Sequence, residues 1–245
     1  MKILVCISHV PDTTTKVTFT DNNTKFNTQG VQFIINPYDE LALTRALELT
    51  EKDGGTVSTI TVGLADTEAT IRKALAIGAH EAVRVNAEPT DAFFVAEQIA
   101  AYAKNEQFDL ILTGRESIDY NGGQVCGLLG EMLGMPSVNV ITKLDIANGE
   151  ATMVRDIDGG KETVTCKLPC VASAQKEFTE PRIPNMRGIM AARTKPLKVV
   201  EAVAADKTSA TLAFDLPPAK GSCKLIPAEQ AEQLIELLHN EAKII

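Results

Sequence analysis

The 245-residue sequence contains no tryptophan, and only 4% of it is aromatic. Proteins that stack successive bases of a single strand need rows of aromatic side chains, so composition argues against that class. Cations are also in short supply, with 24 Lys and Arg against 32 Asp and Glu and a formal charge of −8. Extended nucleic acids and anionic membranes attract a basic face, which excludes them as general partners and leaves a single nucleotide in a pocket open. Long apolar runs are missing too. The first, Ile3 to Ile7, falls short of the roughly 7 to 15 residues of a signal-peptide core, and none approaches the roughly 18 of a membrane span. The five cysteines (Cys6, Cys126, Cys166, Cys170, Cys223) form no CxxC pair, and only three scattered histidines could join them around zinc. Together these absences describe a soluble protein with reduced thiols, expected in the cytoplasm with no membrane insertion.

What is present is aliphatic: 44% of the residues are hydrophobic, dominated by Ala, Val, Ile and Leu. At this length one compact domain is the leading expectation and two small ones the alternative. Short β-branched runs alternate with helical patterns, the signature of βαβ units and a parallel sheet. Ile3 to Ile7 predicts the first strand, and Lys16 to Thr20 with Lys25 to Asn27 a small hairpin. Asn36-Pro37 predicts a helix start, with Asn as N-cap, Pro in the first turn, and Asp39 and Glu40 opposing the dipole. That helix should stop at Gly54-Gly55. Strands follow at Thr56 to Val62, Ala82 to Val85 and Asp109 to Thr113, with helices at Asp66 to Ile77 and Asp91 to Lys104. The order predicts an α/β fold with a doubly wound, mostly parallel sheet.

After Pro136 the pattern changes. Turn signals at Asn148-Gly149 and Asp158-Gly159-Gly160 predict an appended run of antiparallel strands, ending in the apolar stretch Cys170 to Ala174. A stretch poor in regular structure follows, then a short helical piece around Ile189 to Ala192. Residues 202–226 have weak periodicity. Pro227 to Ala242 carries Ala231, Leu234, Ile235, Leu238 and Ala242 at amphipathic-helix spacing. This arm and helix suit docking on another chain, and equally a terminal helix packed on its own domain. The expected division is a nucleotide-binding α/β domain at 1–195 and a C-terminal arm at 196–245.

The most informative stretch runs from Thr113 to Pro136. It leaves the C-terminal end of a strand, where open α/β sheets place ligands. On a helical wheel Gly123, Gly127, Gly130 and Gly134 share one face, at a cost of about 1 kcal/mol each relative to Ala. Something should therefore approach that backbone closely, either a ligand or a tightly packed strand. Free N–H groups near Gly122-Gly123-Gln124 would suit a phosphate. The loop is neither GxGxxG nor a P-loop, and no Lys-Ser or Lys-Thr follows it, so a phosphate would be held rather than transferred. Asp119 could accept from a sugar hydroxyl or an amine, or cap the turn. No Gly-x-Ser-x-Gly or other nucleophile motif accompanies His9, His80 or His239, and Asp156 with Asp158 reads as solvated turn residues.

These pieces resemble the β (small) subunit of electron transfer flavoproteins over essentially the whole chain. The resemblance rests on Lys2-Ile3-Leu4-Val5-Cys6-Ile7, Asn36-Pro37-Tyr38-Asp39-Glu40, Thr70 to Ala79, the loop 113–127, Asp156-Ile157-Asp158-Gly159-Gly160, and Lys167-Leu168-Pro169-Cys170-Val171 continuing to Glu180-Pro181-Arg182. It implies an adenine-nucleotide α-hydrolase-like core paired with an α subunit that carries most of the FAD site, and a structural AMP in the β subunit. By resemblance, AMP would be held by Cys6, by Asn36, Pro37, Tyr38 and Asp39, by Val62, and by Gly114, Arg115, Glu116, Ser117, Ile118, Asp119, Tyr120, Asn121, Gly122, Gly123, Gln124 and Val125. Thr13 and Tyr38 match positions near the flavin.

Two departures bear on the cofactor. Members that bind AMP read Asp-Cys-Asn-Gln-Thr-Gly where this chain has Asn121 to Cys126, and bifurcating members, which hold a second FAD there, read Asp-Thr-Ala-Gln-Val-Gly. Gln124-Val125 matches the second kind, whereas Asn121 and Gly122-Gly123 match neither. Residues 179–190 align with a loop that recognises partner dehydrogenases, with Met186 at the position of the inserted apolar side chain and Arg187 beside it. The resemblance implies an electron carrier, not an enzyme in its own right, that serves fatty acid β-oxidation. It would take electrons from flavoprotein dehydrogenases such as acyl-CoA dehydrogenases and pass them to a quinone oxidoreductase or ferredoxin. A stand-alone adenine-nucleotide sensor or hydrolase is the alternative from another class.

Overall fold

A computed structural model describes residues 1–245. In chain order the strands are β1 (Lys2–Cys6), β2 (His9–Pro11), β3 (Phe19–Thr20), β4 (Lys25–Phe26), β5 (Phe33–Ile35), β6 (Thr56–Val62), β7 (Glu81–Asn86), β8 (Leu110–Gly114), β9 (Ser137–Ala147), β10 (Glu150–Ile157), β11 (Gly160–Lys167), β12 (Cys170–Ala174) and β13 (Leu197–Glu201). The helices are α1 (Pro37–Asp53), α2 (Glu68–Ile77), α3 (Ala92–Ala103), α4 (Val125–Leu133), α5 (Met186–Ala192) and α6 (Ala231–Leu237).

Alternation along β1 explains the layering. Ile3 and Val5 face one way into a core shared with Leu43 and Leu47 of α1 and Ile71 and Leu75 of α2. Leu4 and Cys6 face the other way, toward Ile99 of α3 and Leu129 of α4. A strand buried on both faces reads as an unbroken apolar run, and helices therefore cover both sides. Nine strands form one sheet in the order β11-β10-β9-β12-β8-β1-β6-β7-β13. From β9 through to β13 every neighbouring pair is parallel, while β9-β10 and β10-β11 are antiparallel. The molecule is thus mixed α/β with a large, mostly parallel sheet, and β2-β5 and β3-β4 form two small antiparallel ribbons beside it.

Three local expectations are revised. Cys170 to Ala174 does not end the antiparallel run: β12 inserts in parallel between β9 and β8, and all five residues are buried. A strand covered by neighbours on both edges and by helices on both faces needs apolar residues at every position, with no alternation to mark it. Second, β13 arises inside the segment 196–245 and pairs with β7, so the sheet reaches Glu201. Third, Asn36 stands at the helix start with Pro37 as first helical residue, but its side chain makes no capping bond. Its amide is used elsewhere, as described below.

Beyond the sheet the chain changes character. No residue after Ala192 is buried. The terminal helix is regular only over α6, with Ala228–Gln230 and Leu238–Ala242 as irregular flanks, and Leu234 and Ile235 remain 45% and 62% exposed. It is not packed into either core. No helix is long and apolar enough to cross a membrane.

Candidate functional site

The C-terminal ends of β1, β6 and β8 open into a cleft of about 430 Å³. Cys6, Asn36, Asp39, Val62, Gly114, Arg115, Glu116, Ser117, Asp119, Tyr120, Gly122, Gly123 and Val125 lie on its wall. Pro37, Tyr38, Ile118, Asn121 and Gln124 belong to the same segments but do not line it. Thr13 lies outside it, exposed on the loop after β2. Met186 and Arg187 are in the first turn of α5, with Met186 74% exposed.

One carboxylate organises the cleft. Asp39 is only 3% exposed. Its Oδ2 accepts from the Ser8 N–H at 2.7 Å, and its Oδ1 from the Gly114 N–H at 2.9 Å and from Asn36 Nδ2 at 3.0 Å. Asn36 Nδ2 also donates to the Glu116 carbonyl at 2.8 Å, and Asn36 Oδ1 accepts from the Ile118 N–H at 3.4 Å. The pair thereby fastens the end of β1, the start of α1 and the loop after β8 to one another. Burial pushes the Asp39 carboxyl up to about 7, against the pull of its N–H donors. A Cβ at Gly114 would run into the Asp39 carboxylate and lie 2.8 Å from Tyr38 Cβ, so glycine is required there for close approach. Burial, with Asp39 and Cys126 nearby, raises the Cys6 thiol well above its usual range, which keeps it neutral.

The glycine face expected along the next helix divides into separate roles. Gly123 precedes α4, Gly134 follows it in a left-handed conformation (φ 64°), and only Gly127 and Gly130 are helical. Gly130 meets the next strand, since a Cβ there would lie 2.5 Å from Ser137 Cβ. The closest approach on that face is made by protein, and only its first glycine borders the cleft. Spacing alone cannot separate a C-terminal cap from a packing face, because both fall on the same wheel position.

The donors and acceptors fit a mononucleotide. The N–H groups of Gly123 and Gln124 donate to no protein acceptor and stand at the positive end of α4. Thr90 lines the cleft, and its buried hydroxyl also lacks a partner. Val62, Val95 and Ile99 supply an apolar wall for a base, and Glu116 and Asp119 supply acceptors. Asp119 caps its turn as well, Oδ1 accepting from the Tyr120 N–H at 3.0 Å.

Several wall residues were not anticipated from sequence. His9 lines the cleft with Nδ1 2.8 Å from Thr70 Oγ1 and its ring stacked on Phe33 at 4.3 Å, and burial lowers its pKa. Asp91 was visible only as the start of α3. Ser209, Ala210 and Thr211 come from the arm, where no periodicity marked them.

Comparison with known proteins places these features in a family. The model for the electron transfer flavoprotein domain matches residues 23–205. The chain is 39% identical over 259 aligned residues to the electron transfer flavoprotein subunit beta of Bacillus subtilis, with both chains covered fully. To that of Syntrophomonas wolfei it is 39% identical over 251 residues, covering 100% of this chain and 98% of the relative. The mitochondrial protein of Oryza sativa subsp. indica is 31% identical over 255 residues, again across the full length of both. Full-length matches at this identity leave no segment outside the relationship, and the chain belongs to the electron transfer flavoprotein β-subunit family.

Proposed function

We propose that this chain is the β subunit of a heterodimeric cytoplasmic electron carrier whose cleft holds one structural AMP. It pairs with an α subunit that carries FAD, takes electrons from flavoprotein dehydrogenases such as acyl-CoA dehydrogenases, and delivers them to a quinone oxidoreductase or ferredoxin. The observation that carries the nucleotide assignment is the cleft itself, about 430 Å³ and so within the range of small-ligand sites, with N–H groups that have no protein acceptor at one end. In this assignment Gly123 and Gln124 hold the phosphate, Asp119 and Glu116 take the ribose, and Val62 and Ile99 cover the base. Bound FAD supplies one- and two-electron transfer, and the protein supplies position and electrostatics. The residues of this chain bind, orient and dock: Thr13 and Tyr38 border the flavin, and α5 with its exposed Met186 meets the dehydrogenase. A flexible thioether suits a surface that serves several partners.

A second reading, a bifurcating complex with FAD in place of AMP, is favoured by one observation, the Gln124-Val125 pair. Co-expression with a candidate α chain and extraction of the cofactors distinguishes the two. The proposal expects a yellow, dithionite-reducible 1:1 complex with one AMP and one FAD. Two FAD per complex would replace it with the bifurcating reading, and a colourless monomer that hydrolyses ATP with the sensor or hydrolase.

A further inference from the structure

The cleft has a wall that does not come from the sheet. After β13 the chain turns back across the cleft mouth as an extended segment, tied down at three places. Gln98 of α3, only 2% exposed, makes a reciprocal pair with the Val203 backbone, its Oε1 accepting from the N–H at 2.8 Å and its Nε2 donating to the carbonyl at 3.0 Å. Asp91 divides its two oxygens. Oδ1 accepts the Phe94 N–H at 2.7 Å and caps α3, while Oδ2 accepts the Thr208 N–H at 2.7 Å, the Ser209 N–H at 2.8 Å and the Thr208 hydroxyl at 3.1 Å. On the far side, the Phe214 N–H donates to the Asn23 carbonyl at 2.7 Å, and the Phe214 ring stacks on Phe19 at 4.9 Å. Ser209, at the second tie, and Ala210 and Thr211, just beyond it, are the three arm residues on the cleft wall.

We propose that residues 203–211 are a strap that completes the nucleotide site, latched by Asp91 and Gln98, and that a bound nucleotide leaves only when the Asp91 latch opens. The inference rests on the nucleotide reading above and adds the residues that govern retention. Several features support it. The latch is charge-assisted, with two backbone N–H groups converging on one carboxylate oxygen, among the stronger hydrogen-bond arrangements available. The Phe94 N–H, followed by those of Ser209 and Thr208, holds the Asp91 carboxyl down at about 2, so it stays ionised under working conditions. Between Val203 and Phe214 only Ala205 packs against the apolar core, and no strap residue beyond it is buried, so over the cleft itself the polar ties hold the segment. Ser209 and Thr211 would be positioning residues for the part of the nucleotide nearest the mouth.

The test separates the latch from the helix cap. In Asp91→Asn one oxygen remains to cap α3, and Asn caps about as well as Asp, but an amide NH₂ then faces the Thr208 and Ser209 N–H groups and cannot accept from them. Asp91→Ala removes both functions. The full chain, assembled with its α subunit, is loaded with radiolabelled AMP and chased with excess unlabelled AMP, and thermal midpoints are recorded alongside. The expected result is at least about tenfold faster release from both variants, with the Asp91→Asn midpoint close to wild type. Release within about twofold of wild type in both variants overturns the strap while leaving the nucleotide site intact. If the wild-type complex retains no nucleotide beyond the one FAD of the α subunit, the nucleotide reading fails and the strap falls with it.

Discussion

Residues 1–201 and residues 202–245 of one chain obey different rules. The first region contains every buried residue, with Ile3, Leu4, Ile60, Leu110 and Ile111 among those at 0% exposure. In the second, Leu212 and Leu225 are 85% and 87% exposed and Ile235 is 62% exposed. A fully buried aliphatic side chain contributes about 1.5–3 kcal/mol, so the arm forgoes in isolation what the sheet collects in full. Its amphipathic spacing would serve no purpose on a helix that stayed in water. The difference teaches that burial is concentrated in the sheet, whereas the arm leaves its apolar residues uncovered in the isolated chain, as our proposal of a paired α subunit expects.

The sharpest way to break this contrast is truncation after Glu201. The sheet should keep its far-UV dichroism and lose only a few degrees of thermal midpoint, while affinity for the α subunit drops by about a thousandfold, equivalent to about 4 kcal/mol of lost burial. A truncated chain that unfolds would show that the arm belongs to the core.

Next in size is Asp39→Asn, which acts on the core side alone. It turns one of the two acceptor oxygens toward Ser8 and Gly114 into a donor, and an unsatisfied buried N–H costs about 1–3 kcal/mol. Chemical denaturation should report a loss of about 3 kcal/mol with affinity for the α subunit changed far less. The pH dependence has an unusual sign for a carboxylate. The folded pKa, about 7, lies above the ordinary 3.8, so the contribution of Asp39 is complete below about pH 4 and is lost as pH rises through 7. The gap between wild type and Asp39→Asn should therefore be narrower at pH 8 than at pH 5.

Smaller still is Ile235→Asp. It should leave the midpoint of the isolated chain unchanged and weaken α-subunit binding by about tenfold, or about 1.4 kcal/mol; a shifted midpoint would place Ile235 against the chain's own sheet. Met186→Ala should have the mildest effect. This exposed apolar residue lies on the sheet side of the divide, and stopped-flow reduction by a dehydrogenase should slow a few-fold with the flavin spectrum unchanged. An equal rate would remove Met186 from the docking surface.

The core was legible where local chemistry and tertiary role agree. Pro37 marks the start of α1, where its fixed φ suits the first turn, and Gly78 the end of α2, where φ is 153°. β12 was misplaced because burial on all sides erases alternation, and β13 was missed because Leu197–Glu201 is a short edge strand whose apolar positions and exposure do not alternate. For the cleft, the residues at the ends of β1, β6 and β8 were found through the family resemblance as much as through pattern. Asp39 was visible as a helix-dipole acid but not as the acceptor joining three segments. Ser209 to Thr211 left no trace, since the strap is held through its backbone N–H groups, which every non-proline residue possesses.

The position of β12 also sets an order of events. β8 and β9 are separated in the sheet by a strand that lies later in the chain than either, so during synthesis a slot stays open at the middle of the sheet until Ala174 has left the ribosome. Chains lengthen at about 5–20 residues per second, and the interval between β8 and β12 therefore lasts several seconds. The strap emerges later still. The strands whose ends shape the cleft are thus synthesised before residues 203–211 that cross its mouth.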